Sequence, residues 1–286
     1  MPLVSVIIPA YNAEKFIAET IQSVLIQTYT RWEIIVVNDG STDNSASIVT
    51  SFIEKDNRIT LINKPNSGVS DTRNVGIEKS KGEFIAFLDA DDIWESNNLE
   101  EKVSVLSTTT IDWVFSDAYL IDENTDIIGE KKGDDSEMLI HYLLWDRTVI
   151  PGPCSNVIVK RKCLNSGLRF DAKFSTAADQ DFCFYLSSKF LGKRIEKYLW
   201  KYRILKQSMS RNIAVMEKDH IGVYKKAAKN KLFSSVKFQQ KCFSNLYLIL
   251  AGSWWKDGKN KTRGAYFIFR SVLAYPPNVL KLLKKI

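Results

Sequence analysis

The first 120 residues alternate short runs of β-branched side chains with segments whose apolar positions recur every three or four residues. Ile17, Ile21 and Val24 show this helical spacing, which places apolar side chains along one face of a helix. Strand-like runs that alternate with such helices are typical of a mostly parallel sheet covered by helices. We predict strands near residues 3–9, 33–38, 59–63, 83–88 and 111–119.

The pattern after residue 120 is less regular. Residues 121–150 are polar and acidic apart from a short apolar helix predicted near 138–145, which indicates a loop-rich insertion over the sheet. Pro151-Gly152-Pro153 interrupts the chain before a β-like run at 156–159. Beyond it we predict a helix at 179–190, a strand near 195–200 and several helices from about residue 214.

The charge of the chain is distributed unevenly. With 45% hydrophobic and 26% charged residues among 286, the composition is that of a globular protein, and the formal net charge is +7. Residues 1–210 hold 24 Lys and Arg against 30 Asp and Glu, a net charge of −6, whereas residues 211–286 hold 16 against 3, a net charge of +13. We therefore expect the two parts to face different partners.

No signal for export or for membrane spanning is found. The four cysteines include no C-x-x-C pair, so neither a zinc site nor a disulfide framework is predicted. The N-terminus has no basic stretch followed by an apolar one, and no run of about 18 apolar residues occurs. We expect a cytoplasmic protein without a transmembrane helix.

Polar side chains follow three of the predicted strands, and ligands of open α/β sheets bind beyond the carboxyl ends of strands. The first strand is followed by 9–14, the second by 38–43 and the fourth by 89–92. Three carboxylates within the last segment repel one another unless a cation or hydrogen-bond donors compensate. Mg²⁺ or Mn²⁺ combines such carboxylates with phosphate oxygens and water, which indicates a nucleotide diphosphate.

Alternatives remain for each of these segments. Asn38-Asp39-Gly40 is by itself a turn followed by a helix N-cap, and 89–92 is also compatible with a solvated acidic turn before a helix near 97. A glycine turn at 66–68 begins a further helix, whose N-terminus and Arg73 would both face phosphate. A surface arginine on an ordinary helix is the alternative for Arg73.

Four motifs in this order resemble the family-2 inverting glycosyltransferases of the GT-A fold. They are V-S-V-I-I-P-A-Y-N at 4–12, V-V-N-D-G-S-T-D at 36–43, N-S-G-V-S-x-x-R-N-x-G at 66–76 and F-L-D-A-D-D at 87–92. The resemblance continues through 156–160, 167–171 and 178–182, and covers about residues 3–210. It implies an α/β GT-A fold, with a mostly parallel central sheet flanked by helices and a Rossmann-like nucleotide-binding half, as a catalytic domain at 1–210. A helical C-terminal region would occupy 211–286.

The resemblance also implies roles for single residues. Asp39 would accept a hydrogen bond from the pyrimidine N–H, Asp91 would be the main metal ligand, and Asp89 would touch ribose or sugar and assist at the metal. Asp179 would deprotonate the acceptor hydroxyl, with Asp181 as the fallback. The base and ribose pocket would be lined by Pro9, Tyr11, Asn12 and Glu14, and the diphosphate and sugar would lie near Asn66, Gly68, Arg73 and Ala90.

Two positions depart from the family pattern. The family commonly has Glu-Asp where this chain has Ala178-Asp179, so the preceding acid is missing. Many relatives carry Tyr-Arg-x-His-x-x-Ser, whereas the stretch 202–208 has Leu205 at the position of the histidine. If that histidine binds metal or diphosphate in relatives, this chain must use water or Lys206 instead.

The function implied by the resemblance is metal-dependent, inverting transfer of a hexosyl or N-acetylhexosaminyl group from a nucleotide-diphosphate donor. We expect a UDP-sugar as the donor, Mg²⁺ or Mn²⁺ as the cofactor, and a glycan or lipid-linked acceptor in cell-surface polysaccharide biosynthesis. The alternatives are a catalytically silent protein that binds sugar nucleotides or carbohydrates, and a sugar-1-phosphate nucleotidyltransferase. The second is disfavoured because 9–12 is not a glycine-rich loop containing Arg or Lys. Neither a P-loop nor a G-x-G-x-x-G motif occurs.

The basic region 211–286 suits an anionic membrane surface, because its lysines are interspersed with aromatic side chains and it ends in the basic, apolar run 279–286. Peripheral attachment to the inner face of the membrane and a lipid-linked acceptor would follow. A solvated helical bundle that packs on the catalytic domain is the alternative. No motif of an RNA- or DNA-binding module occurs, so nucleic acid is not expected as a partner. His141 and His220 are isolated in the sequence and are expected to be structural or exposed.

Overall fold

The computed structural model describes residues 1–134, 140, 144–145, 149–205 and 212–278. Most of the predicted helix near 138–145, His141, Lys206 and the terminal run 279–286 lie outside these residues.

A single sheet organises the described part of the chain, and the α/β prediction is confirmed. Its nine strands are β1 (Val4–Ala10), β2 (Trp32–Asp39), β3 (Ile59–Lys64), β4 (Phe84–Phe87), β5 (Ile93–Trp94), β6 (Trp113–Ile121), β7 (Ile127–Lys131), β8 (Ile158–Lys160) and β9 (Gly192–Arg203). Their order is β3-β2-β1-β4-β8-β6-β9-β5, with β7 paired to β6.

Pairing in the sheet is parallel in the half formed by the N-terminal strands and mixed in the other half, so the prediction of a mostly parallel sheet holds for the first half only, and the sheet as a whole is mixed. In the first half, Ile7 of β1 lies opposite Ile35 of β2 and Phe87 of β4 in parallel register. β8 is antiparallel to β4 and β6, β6 is parallel to β9, and β5 is antiparallel to β9. Parallel pairing therefore brings the carboxyl ends of β1, β2 and β4 to one edge, as predicted for the strand-end motifs.

Ten helices accompany the sheet in the described residues. They are α1 (Ile17–Leu25), α2 (Ser45–Ile53), α3 (Val69–Lys79), α4 (Asn98–Thr108), α5 (Pro153–Asn156), α6 (Arg161–Asn165), α7 (Ala178–Lys189), α8 (Ile213–Lys229), α9 (Val236–Lys256) and α10 (Lys261–Ala274).

The β-like run predicted at 156–159 is only partly a strand. Gly152 has φ +39°, and Pro153 occupies the first position of α5, where its missing N–H costs no helical hydrogen bond. The helical turn therefore continues to Asn156, and β8 begins at Ile158. The Asn156 side chain binds the backbone of β6, because its Oδ1 accepts from Ser116 N–H at 2.8 Å.

The sheet separates two apolar cores. Val6 and Ile8 of β1 face the core covered by α1 and α4, and Ile7 faces the other core with Phe87. The second core also contains buried side chains from the three C-terminal helices, namely Tyr224 of α8, Leu246 of α9 and Phe267 of α10. The described part of the basic region therefore packs on the sheet domain. Within residues 1–134, 140, 144–145, 149–205 and 212–278, no helix has the length and apolar character needed to cross a bilayer.

Candidate active site

Three aspartates follow β4, and the structure separates their roles. The Asp89 carboxylate is about one third exposed and accepts a hydrogen bond from Arg73 Nη2 at 2.6 Å. Asp92 is buried, and its carboxylate accepts from the Ser155 hydroxyl and, at 2.9 Å, from the Arg203 N–H. Asp92 therefore joins the turn to α5 and β9. The solvated-turn alternative does not describe these residues.

Asp91 lies beside this turn in an unfavourable electrostatic environment. Burial and the charge of Asp89 raise the pKa of Asp91 to about 6, against the opposing effects of Arg203 and Arg73. Ala90, between the two aspartates, is buried. A largely buried carboxylate whose pKa is raised by a neighbouring carboxylate marks a region in which a cation would lower the electrostatic free energy.

The donor set fits a hard divalent cation with substrate ligands. Within the residues that the structure describes, no group of three or more His, Cys, Asp or Glu side chains is arranged to hold a metal. Asp89 and Asp91 remain the predicted pair. One or two carboxylates, completed by phosphate oxygens and water, are what Mg²⁺ commonly takes in nucleotide sites.

Arg73 is buried, so the alternative interpretation, in which it is a surface arginine on an ordinary helix, is wrong. Its side chain, on the first turns of α3, is 5% exposed, and its guanidinium lies 5.3 Å from the ring of Phe170. Burial opposes the charge, but Asp89 and, more weakly, Asp179 raise the pKa of Arg73 above its ordinary value. Its buried Nε has no hydrogen-bond partner among the described residues. A fixed cation with a spare donor suits an anionic ligand.

Asp179 reaches the same place from a distant part of the sequence. It lies half-buried in the first turn of α7, where its Oδ1 accepts from the Gln180 N–H at 2.7 Å. Burial and then the charges of Asp92, Asp179, Asp89 and Asp91 raise the pKa of Tyr202. Phe182 of α7 lies 5.7 Å from Phe87 at the end of β4, measured between ring centroids, so the start of α7 and the turn after β4 lie close together.

The fallback base, Asp181, is engaged elsewhere. Its buried carboxylate forms an ion pair with Lys226 of α8 at 2.7 Å, and the same ammonium contacts Asp171 at 2.8 Å. Burial raises the pKa of Asp181, with a smaller contribution from Asp171, against the effect of Lys226. This ion pair favours Asp179 as the base. Ala178, at the position of the missing acid, is completely buried.

The segment before Asp179 is held by α8, which the sequence did not indicate. The buried Asp219 Oδ2 accepts from the backbone N–H groups of Ser175 and Thr176 at 2.8 and 2.9 Å, and from both hydroxyls at 3.1 Å. His220 Nδ1 lies 2.7 Å from Gln180 Oε1, so His220 is a structural residue, as expected. We call Asp219, His220 and Lys226 the α8 clamp. Its contacts join residues about 40 positions apart, so no local spacing indicates them.

Replacing Asp219 by Asn is expected to lower the free energy of unfolding by about 2 kcal/mol, because an amide oxygen replaces a carboxylate that accepts four hydrogen bonds. Urea denaturation measures this change. The exposed Asp257 at the end of α9 provides the matched control, since Asp257→Asn removes no described hydrogen bond. Equal midpoints for the two variants would contradict the clamp.

Asp39, the last residue of β2, is buried and its carboxylate accepts three hydrogen bonds. It accepts from Lys64 Nζ at 2.5 Å and from the N–H groups of Ser67 and Gly68 at 2.9 Å. Burial would raise the pKa of Asp39, but these donors hold it below its ordinary value. Gly68, at φ +94°, allows the turn that aims its N–H at this carboxylate. The exposed Asn66 contacts Gly40, where a Cβ would lie 2.9 Å from Asn66 N.

The predicted base and ribose residues lie at the end of β1 and in the loop that follows it. Pro9 is buried in β1, whereas the side chain of Tyr11 is 55% exposed. Asn12 Oδ1 accepts from Thr42 N–H at 2.9 Å, and Glu14 Oε2 accepts from Asn44 N–H at 3.0 Å. Asn12 and Glu14 thus connect this loop to the loop after β2, and more than half of the surface of Tyr11 is open to a ligand.

Arg203 is a further residue that the sequence reasoning did not assign to the site. Its buried guanidinium donates to the Asp91 carbonyl at 2.8 Å, to the Asp122 carbonyl at 3.0 Å and to the Glu19 carboxylate at 2.8 Å. It thereby fastens the turn after β4 to α1 and to the β6–β7 turn. Its place in the Tyr-Arg motif was the available signal.

Comparisons with known proteins agree with this architecture. The profile of the family described as "Glycosyl transferase family 2" matches residues 5–165. A relative from Escherichia coli, "UDP-Glc:alpha-D-GlcNAc-diphosphoundecaprenol beta-1,3-glucosyltransferase WfgD", is 43% identical over 129 residues, which are 45% of this chain and 50% of WfgD. For three of the curated relatives, the match spans 50%, 43% and 41% of the relative's own length.

Two solved structures share the fold at low sequence identity. S. aureus TarS 1-349 in complex with UDP-GlcNAc has a TM-score of 0.62 at 17% identity, over 95% of this chain and 73% of that one. Mannosyltransferase PcManGT from Pyrobaculum calidifontis, in complex with GDP-Man and Mn²⁺, has a TM-score of 0.65 at 18% identity, over 99% and 79%. The GT-A-like fold is therefore confirmed, with helices after the sheet.

Proposed function

Because the chain belongs to glycosyl transferase family 2, we propose that it transfers a sugar from a nucleoside-diphosphate donor to an acceptor hydroxyl in cell-surface polysaccharide biosynthesis. The observation that carries this proposal is the packing of α7, whose first turn holds Asp179, beside Arg73: Phe182 of α7 stacks on Phe170 at 4.3 Å, and the Arg73 guanidinium lies 5.3 Å from the same Phe170 ring. A carboxylate base and a buried cation border the same space. In glycosyl transfer to a hydroxyl, the carboxylate accepts the proton of the hydroxyl and the cation stabilises the negative charge of the leaving diphosphate.

The donor is a UDP-sugar, bound between the strand-end loops and α3. Asp39 is kept ionised by three donors and retains acceptor capacity for one further N–H, such as that of a pyrimidine. The names of two similar proteins, one acting with UDP-Glc and one bound to UDP-GlcNAc, support this nucleotide. Tyr11 would cover the base, and Asn66 and Gly68 would lie by the diphosphate.

Asp91, assisted by Asp89, would hold Mg²⁺ or Mn²⁺ together with the diphosphate oxygens. Such an ion, when bound, supplies positive charge to the departing diphosphate. Arg73 provides fixed positive charge in the same region, and its Asp89 contact holds it in place at 2.6 Å. Since Arg73 is buried, its field is little weakened by water.

Asp179 is the general base of the proposal. It takes the acceptor proton as the hydroxyl oxygen bonds to the anomeric carbon and the bond to the diphosphate breaks. One displacement with one base inverts the anomeric configuration. The proposed catalytic residues all lie in the proposed domain 1–210. The α8 clamp would fix the position of Asp179 relative to the bound donor.

The acceptor is a glycan or a lipid-linked sugar. The E. coli relative is named for a diphosphoundecaprenol-linked acceptor, and the basic C-terminal helices of this chain favour a lipid-linked one. We accordingly place the protein at the inner face of a membrane as a peripheral protein.

Donor turnover tests the proposal. The purified chain is incubated with UDP-Glc, UDP-Gal, UDP-GlcNAc or UDP-GalNAc and a short-chain lipid-diphosphate sugar, with Mn²⁺ or with a chelator. We expect UDP release with at least one donor, dependent on Mn²⁺, and a product whose new linkage has the inverted configuration by NMR. Binding of every donor without UDP release would instead favour the silent binding protein, which the buried Ala178 makes the second candidate.

A further inference from the structure

Helix α10 has apolar side chains on two opposite faces. One face packs on α9, where Phe267 is buried, Gly264 adjoins Trp255, and the Ser271 carbonyl accepts from the Ser244 hydroxyl at 2.7 Å. On the other face Tyr266, Phe269 and Leu273 are 41%, 61% and 62% exposed. Their spacing of three and four positions forms a single stripe. We call these three residues the α10 face.

Large apolar side chains aligned along an exposed helix face are uncommon on a protein surface that contacts only water. A helix with polar residues on its outer face is the ordinary arrangement for a surface helix, whereas α10 is apolar on both sides. A contiguous patch of this kind marks an interaction site. The two clefts described along α9 and α10, of about 720 and 370 Å³, contain no residue of the candidate active site.

The charge around the α10 face is strongly positive. Arg263 and Arg270, seven positions apart, lie on one side of the stripe, and Lys259 and Lys261 are exposed at its N-terminal end. The sequence from 212 to 278 contains three acidic residues. Glu217 is paired with Arg263 and Asp219 belongs to the α8 clamp, which leaves Asp257 as the exposed acid.

Tyr266 is oriented by these cations. Arg270 donates to the Tyr266 hydroxyl at 2.7 Å and to the Tyr247 hydroxyl of α9 at 2.8 Å, and the Arg263 guanidinium lies 5.1 Å from the Tyr266 ring. The polar end of Tyr266 is thus held among positive charges beside the apolar stripe. Aromatic and aliphatic groups bordered by cations match the boundary between lipid headgroups and acyl chains.

We propose that the α10 face binds the surface of an anionic phospholipid membrane, with Phe269 and Leu273 in the headgroup and acyl boundary and the surrounding cations against lipid phosphates. The inference deepens the proposed function, since it rests on a lipid-linked acceptor, and it names the residues that make the contact. The match of charge selects anionic lipid over a neutral surface or a second copy of this basic helix, which would be repelled.

Flotation of the full chain with vesicles tests the proposal. Vesicles are made of phosphatidylcholine alone or with an equal part of phosphatidylglycerol. The variant is Phe269→Ser with Leu273→Ser. The matched control is Ile127→Ser with Ile128→Ser, two side chains of β7 that are 58% and 56% exposed.

We expect binding to vesicles that contain phosphatidylglycerol, weakened by salt, and roughly tenfold or more loss of partitioning in the α10 variant but not in the β7 control. Equal binding to both vesicle types, no binding, or unchanged binding of the α10 variant would overturn the proposal. So would a concentration-dependent dimer that the α10 variant abolishes, because the face would then be an interface between copies.

UDP calorimetry on the same samples separates the two proposals. If the chain binds vesicles but neither binds nor turns over UDP-sugars, the membrane proposal for the α10 face is supported and the proposed function is contradicted. If the chain transfers sugar to a soluble acceptor but binds no vesicles, the proposed function is supported and the membrane proposal is contradicted.

Discussion

Replacement of Asp179 by Asn is expected to lower the rate of sugar transfer by roughly 10²- to 10⁴-fold and to leave UDP binding nearly unchanged. Asn retains the size of the side chain, and its Oδ1 still accepts from the Gln180 N–H. It cannot accept the proton of the attacking hydroxyl. The loss should therefore fall on kcat, with little change in the Kd of UDP measured by calorimetry.

Asp181→Asn is the matched control for this experiment, since Asp181 lies two positions away on α7. Its carboxylate is paired with Lys226, but burial raises the pKa of Asp181 and Lys226 keeps Asp171 as a partner, so the neutral amide should change the free energy of unfolding by no more than about 1 kcal/mol. Transfer should fall by less than about tenfold, because the base is still present. Near-normal transfer by Asp179→Asn with loss of transfer in Asp181→Asn would reverse the assignment of the base.

Removal of the Asp91 carboxylate is expected to abolish the Mn²⁺-dependent part of UDP binding. In Asp91→Ala the affinity for UDP in the presence of Mn²⁺ should fall by about a hundredfold or more, since a metal bridge to phosphate contributes several kcal/mol. Calorimetric titration with UDP, with and without Mn²⁺, measures this effect. Asp257→Ala, which changes an exposed aspartate of α9, serves as the control.

The fold should tolerate the loss of Asp91. Burial and Asp89 raise the pKa of Asp91 to about 6, so its ionised form is less favourable in the folded chain than in the unfolded one. Above that pH the carboxylate lowers stability, and Asp91→Ala should unfold at the same or a higher temperature at pH 7. UDP binding that is independent of metal, or equal in the variant and the parent, would rule out Asp91 as the metal ligand.

Much of the N-terminal half of the sheet can be predicted from local sequence patterns. The strands around β1, β2 and β4 are apolar runs bounded by turn signals, and parallel pairing necessarily collects their carboxyl ends. The sequence therefore predicts that Asp39, Asp89 and Asp91 lie at one edge of the sheet. The glycine turn at 66–68 was likewise legible, because a positive φ there has a local residue signature.

Local patterns did not predict which polar side chains are buried or which residues they bind. Sequence alone left Arg73 open as a surface residue, and three adjacent aspartates gave no indication that Asp92 would be taken by Ser155 and Arg203. The run at 156–159 has the composition of a strand, but Gly152 and Pro153 begin a helical turn that occupies its first position.

The sequence by itself determined most of the strands and helices through local periodicity, the place of the strand-end motifs at one edge of the sheet, and, through composition, the basic character of the C-terminal region. The tertiary structure alone decided that α7, with Asp179, packs beside Arg73 through Phe170 and Phe182, that the α8 clamp holds the segment before Asp179, and that α10 presents a second apolar face. The physical reason is that helix and strand patterns are local, because a helix face repeats every three to four residues and a strand face every two. Asp219 with Ser175, and Arg203 with Asp91, are joined only because the packed sheet brings distant segments together.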